Sequence, residues 1–287
     1  MKIFSAVAKG AVKSVKSYNL AITTWLITFI MIWSASLVLK ASFNSMFGDS
    51  MISESLLGGF DVSILADLGN RIAPFINGML LTTTFIILFG VLVNTFFAGG
   101  FYGRFAYQAT DHTISDFFRS SARFFFPYLG IAALIALMII FWAGLLFGLP
   151  LLLSDAASRG TATMTFLMRL FGVVFLLGLP VLLLFADTAR SSMAYSGKRN
   201  MFRAVGDGFR ATFHKFLKNY ISEFIVMIAS ILLSLLLLWL LKDLVPEKGG
   251  MIFLFFILTQ VIALLKVWVR SWRYATVTEL VTERNQN

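Results

Sequence analysis

Six stretches of this chain are each long and apolar enough to cross a lipid bilayer: about 20–39, 75–98, 129–154, 164–186, 221–241 and 250–269. A spanning helix needs about 20 mostly apolar residues. Inside the bilayer each backbone N–H and C=O must also find its partner within the segment, which makes each run a helix. Six such runs in 287 residues leave little chain for anything else. Only 13% of residues are charged and 59% are hydrophobic, where a soluble domain carries about 25% charged residues. The fold class is therefore all-α, a polytopic membrane protein of six transmembrane helices in one integral membrane domain, 1–287.

The basic residues orient it, because cytoplasmic segments collect Lys and Arg. One side of the predicted topology holds Lys2, Lys9, Lys13 and Lys16, then Arg104, Arg119 and Arg123. It also holds Arg190, Lys198, Arg199, Arg203, Arg210, Lys215 and Lys218, and finally Lys266, Arg270, Arg273 and Arg284. The other side holds Lys40, Arg71, Arg159, Arg169, Lys242 and Lys248. Both termini are expected in the cytoplasm. The formal charge of +10 is then a topology signal, and nucleic acid is not an expected partner. The basic N-terminal region is long and the first run is itself span-length, so an uncleaved first span is expected rather than a signal peptide.

Between the spans, three stretches are both basic and aromatic. In 205–217, Val205, Phe209, Phe213 and Phe216 recur on one helical face, and Arg210, His214 and Lys218 on another. Such a helix suits the cytoplasmic headgroup layer, with Phe at the acyl boundary and cations among anionic headgroups. Residues 116–128 repeat the pattern with Phe117, Phe118, Phe124 and Phe125 beside Arg119 and Arg123. Residues 3–19 repeat it with Phe4, Val7, Ala11, Val15 and Tyr18 against Lys9, Lys13 and Lys16. Each stretch precedes an odd-numbered span, at "KSY", "FPY" and "KNY", and the even spans end in "GRFAY", "ARSSMAY" and "VRSWRY". This reads as three amphipathic interfacial helices in a three-fold internal repeat of interfacial helix plus helical hairpin. The external loop 40–74 interrupts it, and is expected to form one or two short helices on the outer face.

Polar residues within spans are costly and draw attention. Arg169 is expected to snorkel outward. Glu223, level with Lys266 and Arg270, is expected to pair with one of them at the inner boundary. Asn94, Gln260 and Thr82–Thr84 read as interhelical hydrogen-bonding groups. Pro150 and Pro180, each two residues after a glycine, predict kinks. With no cysteine, disulfides, Cys-based zinc sites and a cysteine nucleophile are excluded. Two histidines, His112 and His214, do not suggest a metal centre. The glycines of "GGFYG" (99–103) lack the strand–helix context of a nucleotide loop. No catalytic residue, metal or cofactor is expected, and no constellation of buried charges.

The segment "ADTARSSMAYSGKRNMFRAVGDGFRATFHKF" (186–216) resembles a pattern in uncharacterised six-span bacterial inner-membrane proteins. There a span ends in Asp-x-x-Arg, a short basic turn follows, and an "A-x-x-x-x-F-R" helix leads to the next span. Asp187 and Arg190 match the first element; Ala204, Phe209 and Arg210 match the second. The pattern is similar to that of YciC-like proteins and of the membrane domains accompanying some glycerophosphodiester phosphodiesterases. The resemblance implies a multi-pass topology in the bacterial inner membrane and no activity. Two functions follow as expectations. One is a non-enzymatic scaffold or accessory subunit, with lipids and a protein partner or second copy around it. The other is a transporter or lipid-handling permease with a cavity among the helices.

Overall fold

In the computed structural model, residues 3–47, 72–107, 113–153, 162–241 and 249–286 are described. Among them no strand occurs. The helices are α1 (Ile3–Lys16), α2 (Tyr18–Phe47), α3 (Ile72–Tyr107), α4 (Ile114–Ala143) and α5 (Leu149–Leu153), followed by α6 (Ala162–Ser196), α7 (Met201–Phe213), α8 (Phe216–Leu241) and α9 (Gly249–Gln286). Six segments are long and apolar enough to span a membrane, the architecture of a multi-pass membrane protein: Tyr18–Ala41, Ile76–Tyr107, Ile114–Leu152, Ala162–Ser196, Phe216–Leu240 and Gly250–Arg284. Their surfaces carry apolar side chains on a scale that water does not tolerate; Leu81, Leu152, Ile140 and Phe253 are all largely exposed.

The chain divides into two compact units, residues 1–23 with 95–287, and residues 24–94. The second takes in most of α2 and α3. It carries stacked rings at Trp25–Phe29 and Phe85–Phe89, and an apolar groove of about 410 Å³ lined by Met31, Ala35, Val38, Leu81, Phe85 and Phe89. Of the expected external loop 40–74, residues 40–47 continue α2 and 72–74 open α3; the rest lies outside the described residues.

In the first unit the packing is governed by small residues. Without a hydrophobic drive between helices in lipid, close approach of backbones decides which faces meet. Gly99 and Gly103 stand one turn apart on α3, and a side chain on Gly103 would meet Ser120 Cβ of α4 at 2.7 Å. Gly208 on α7 lies so near α6 that a Cβ there would sit 2.7 Å from Ala189 Cα. Gly10 on α1 faces Thr276 of α9 in the same way. The glycines of "GGFYG" are thus a helix-packing notch.

This alters the three basic–aromatic stretches. Residues 116–128 are no separate helix: α4 runs unbroken from its Thr113 capping box through Pro127 to Ala143, and Phe117 and Phe124 are buried in the bundle. The expected helix over 205–217 is also divided. It ends at Phe213, and Lys215 takes a left-handed φ of 56° before α8 begins. Asn219 specifies the break, its side-chain amide donating to the carbonyls of Ala211 (2.9 Å) and His214 (2.8 Å), which a helix end leaves without partners. The buried face of α7 is Ala204, Gly208, Ala211 and Thr212, while Phe209 and Phe213 are exposed. Only α1 resembles its expected extent, ending at a turn at Ser17. It lies along α9 through Ala6, Val7, Gly10 and Ser14, with Trp272 Nε1 donating to the Val7 carbonyl at 2.8 Å. Just before Pro150, which lacks an N–H, the chain makes a π-helical turn, Gly144–Gly148. α6 continues through Pro180.

The sixth long helix also exceeds its expected end at 269. α9 continues to Gln286, and Tyr274, Ala275, Val277, Leu280 and Val281 are buried against the rest of the unit.

Candidate functional site

The three even-numbered long helices finish, and the third and fifth begin, at one end of the first unit. Asp187 and Arg190 stand three residues apart at the end of α6, on one face of the helix. Their ion pair spans 3.3 Å between Arg190 Nη1 and Asp187 Oδ1. The continuation of α9 brings Arg273 to the same carboxylate, with Nε 2.9 Å from Asp187 Oδ2. The same Nε lies 3.6 Å from Glu223 Oε1 of α8. These last two contacts are electrostatic rather than aligned hydrogen bonds. Asp187 is 0% exposed and Glu223 1%.

Tyrosines wall the cluster. Tyr128 of α4 donates to the Arg190 carbonyl at 2.6 Å, and the Arg190 guanidinium lies 6.0 Å from its ring centre. Arg273 lies 5.4 Å from the ring of Tyr274, within the range of a cation–π contact. Tyr102 of α3 packs its ring 4.8 Å from Tyr274 and 6.0 Å from Tyr128. Its hydroxyl is buried without a hydrogen-bond partner among the described residues. Two carboxylates and two guanidiniums thus sit together at the meeting of five helices. Burying a lone carboxylate costs far more than burying one held between cations. A third tier lies alongside: Thr188 and Thr212 hydroxyls meet at 2.9 Å between α6 and α7.

This cluster corrects one expectation: buried charges do form a constellation. It also gives Glu223 a neighbour that was not expected, Arg273 at 3.6 Å. One turn beyond the expected span end, α9 is still helical, so Arg273 comes level with Glu223. Lys266 and Arg270 line a polar cleft of about 270 Å³ between α8 and α9, with Ser230, Ser234 and the outer side of Arg273. Arg169 is exposed on α6.

The residues expected to meet headgroups fall in two groups. Lys9, Lys16, Arg119, Arg123, Arg210 and His214 are exposed, though Arg123 Nη2 donates to the Gly197 carbonyl at 2.7 Å and Arg119 stands 3.5 Å from Asp116. Lys13 and Lys218 are half-buried in ion pairs with Glu279 and Glu283 of the α9 continuation, the second at 2.8 Å. Asp111 and His112 lie outside the described residues.

Asp187 and Arg190 stood out in the sequence through the Asp-x-x-Arg resemblance, whereas Arg273 counted only as an orienting cation and Tyr274 only as the end of "VRSWRY". Tyr102 offered no signal beyond its place in the glycine-rich "GGFYG". No family model, no curated protein and no solved structure matches the chain.

Proposed function

We propose that this protein is a non-enzymatic scaffold or accessory subunit of the bacterial inner membrane, with both termini in the cytoplasm. The observation that carries this reading is the charge-compensated cluster. Asp187 is held between Arg190 and Arg273, and Arg273 between Asp187 and Glu223, at a junction of five helices. A group that works by proton transfer or transport must be reached by its substrate; these groups reach one another, and hold the helix ends in fixed relation. In this orientation the cluster lies at the cytoplasmic boundary. The exposed faces of α1 and α7, with Phe4, Phe202, Phe209 and Phe213, would then meet the acyl boundary beside exposed cations. The three basic–aromatic stretches are, in this reading, copies of one unit that join their spans differently.

A second reading, a lipid-handling protein, is favoured by the basic cleft between α8 and α9. Two measurements separate them. Cross-linking in native membranes should give a discrete adduct above the 32.0 kDa chain, with a second copy or another subunit. Vesicles reconstituted with the purified protein should leave labelled phospholipid in its original leaflet. Rapid leaflet exchange without an adduct would transfer the case to lipid handling.

A further inference from the structure

The helices of residues 24–94 cover very little of one another. Among the described side chains of 25–94 none is buried. α3 is shielded only along a line of every fourth residue: Gly78, Thr82, Ile86 and Gly90 are half-buried, and the residues between them are exposed. α2 repeats this with Met31, Ala35 and Leu39. The line is short of side-chain volume, and a Cβ added at Gly90 would meet nothing within 4 Å. Beside it lies the groove of about 410 Å³, which runs from Met31 to Val38 on α2 and from Thr82 to Phe89 on α3. At 1.5 Å per residue its length is about 11 Å, so it is a slot of about 40 Å² in section and about 7 Å wide. A helix with its side chains is about 10–12 Å across and does not enter. Packed carbon atoms stand about 4 Å apart, so a hydrocarbon chain does. No charged residue lines the slot. Phe85 and Phe89 stack at 5.6 Å into one wall, and the Ser34 hydroxyl donates to the Ile30 carbonyl of its own helix at 2.6 Å. These walls suit a chain and not a headgroup.

We propose that this slot holds an acyl chain of a membrane phospholipid, and that the chain supplies the packed interior which α2 and α3 do not make for themselves. A chain lying on the outside of a helix is touched from one side. In the slot α2 touches it on one side and α3 on the other, so it gains dispersion contacts that a chain in the surrounding lipid lacks. A second copy of this protein is the other apolar occupant a membrane offers. A stable interface covers about 800 Å² on each partner, whereas a slot of these dimensions has walls of roughly 200–300 Å². The site is built within residues 24–94 alone, and it stands whether the protein is a scaffold or moves lipid.

The test uses the full chain in vesicles of phosphatidylethanolamine containing phosphatidylglycerol with a diazirine in the middle of one acyl chain. After photolysis, peptide mass spectrometry should find the label concentrated on Met31, Ala35, Phe85 and Phe89, which line the slot. It should be sparse on Ile30 and Leu88, which are exposed elsewhere on the same helices. Ala35→Trp fills the slot and should abolish that enrichment while the labelling of Ile30 and Leu88 stays as it was. Leu88→Trp, the same ring placed outside, should preserve it. If Ala35→Trp fails to fold, Thr82→Phe fills the slot from the other wall and should give the same loss. Label spread evenly over slot and outer faces, or enrichment undiminished in a folded filled variant, overturns the proposal. So does ready oxidation of Ala35→Cys to a disulfide-linked dimer in a chain that has no other cysteine, because a second copy would then occupy the slot.

Discussion

The two compact units hold themselves together by opposite means. In residues 24–94 the helices present mostly rings and aliphatic chains, and the groove between Met31 and Phe89 is largely apolar, with Ser34 and Thr82 its polar members. In the other unit, helix ends are fixed by buried ions, hydroxyl pairs and glycine notches. In a bilayer an apolar side chain gains little by leaving lipid for protein, so its removal from a helix surface should matter little. A buried ion that loses its partner has nowhere to go.

The sharpest way to break this contrast is Asp187→Ala. Two guanidiniums, Arg190 and Arg273, would lose the carboxylate they share. Removing one member of a buried ion group costs about 3–5 kcal/mol, and thermal unfolding in detergent should show the largest loss of any single change here. An unchanged midpoint would mean that the cluster does not hold the unit together. Gly208→Val should rank second. Its Cβ would meet Ala189 at 2.7 Å, backbone against backbone, and overpacking of this kind costs about 1–3 kcal/mol. The same unfolding assay, with the contact of Thr188 and Thr212 followed by cysteine cross-linking at those positions, should show α7 loosened from α6. Smallest of all should be Leu81→Ala in the other unit. Leu81 is 74% exposed, and exposed substitutions stay within about 0.5 kcal/mol. A loss comparable to that of Gly208→Val would show that Leu81 is held by protein and not by lipid.

Some of this was legible without coordinates. The six spans are visible because bilayer thickness sets a length that a window of sequence can measure. Asp187 and Arg190 stood out because they share a helix and a motif. Glu223 was recognisable as a polar intrusion, but Arg273 was not among its expected partners. The depth argument stopped α9 at the last strongly apolar residue, whereas the helix continues for four more turns, stabilised by burial of Tyr274, Val277 and Val281 against the first unit. The amphipathic stretches were legible on one face only. The phenylalanines of α7 are conspicuous and exposed, whereas the inconspicuous Ala204, Gly208 and Ala211 are the residues it buries.

The sequence by itself determined the number of spans, the apolar stretch of each, and the basic asymmetry between their two ends. These follow from local quantities: run length, hydropathy and charge. Tertiary structure alone decided that Asp187 would meet an arginine 86 positions away, that Tyr102, Tyr128 and Tyr274 would pack edge-on and tilted around them, and that Lys266 and Arg270 would line a cleft between α8 and α9. The physical reason is that such pairings depend on how closely backbones approach and on how far each helix runs past the apolar segment. Both are settled by small residues whose effect appears only when another helix lies against them.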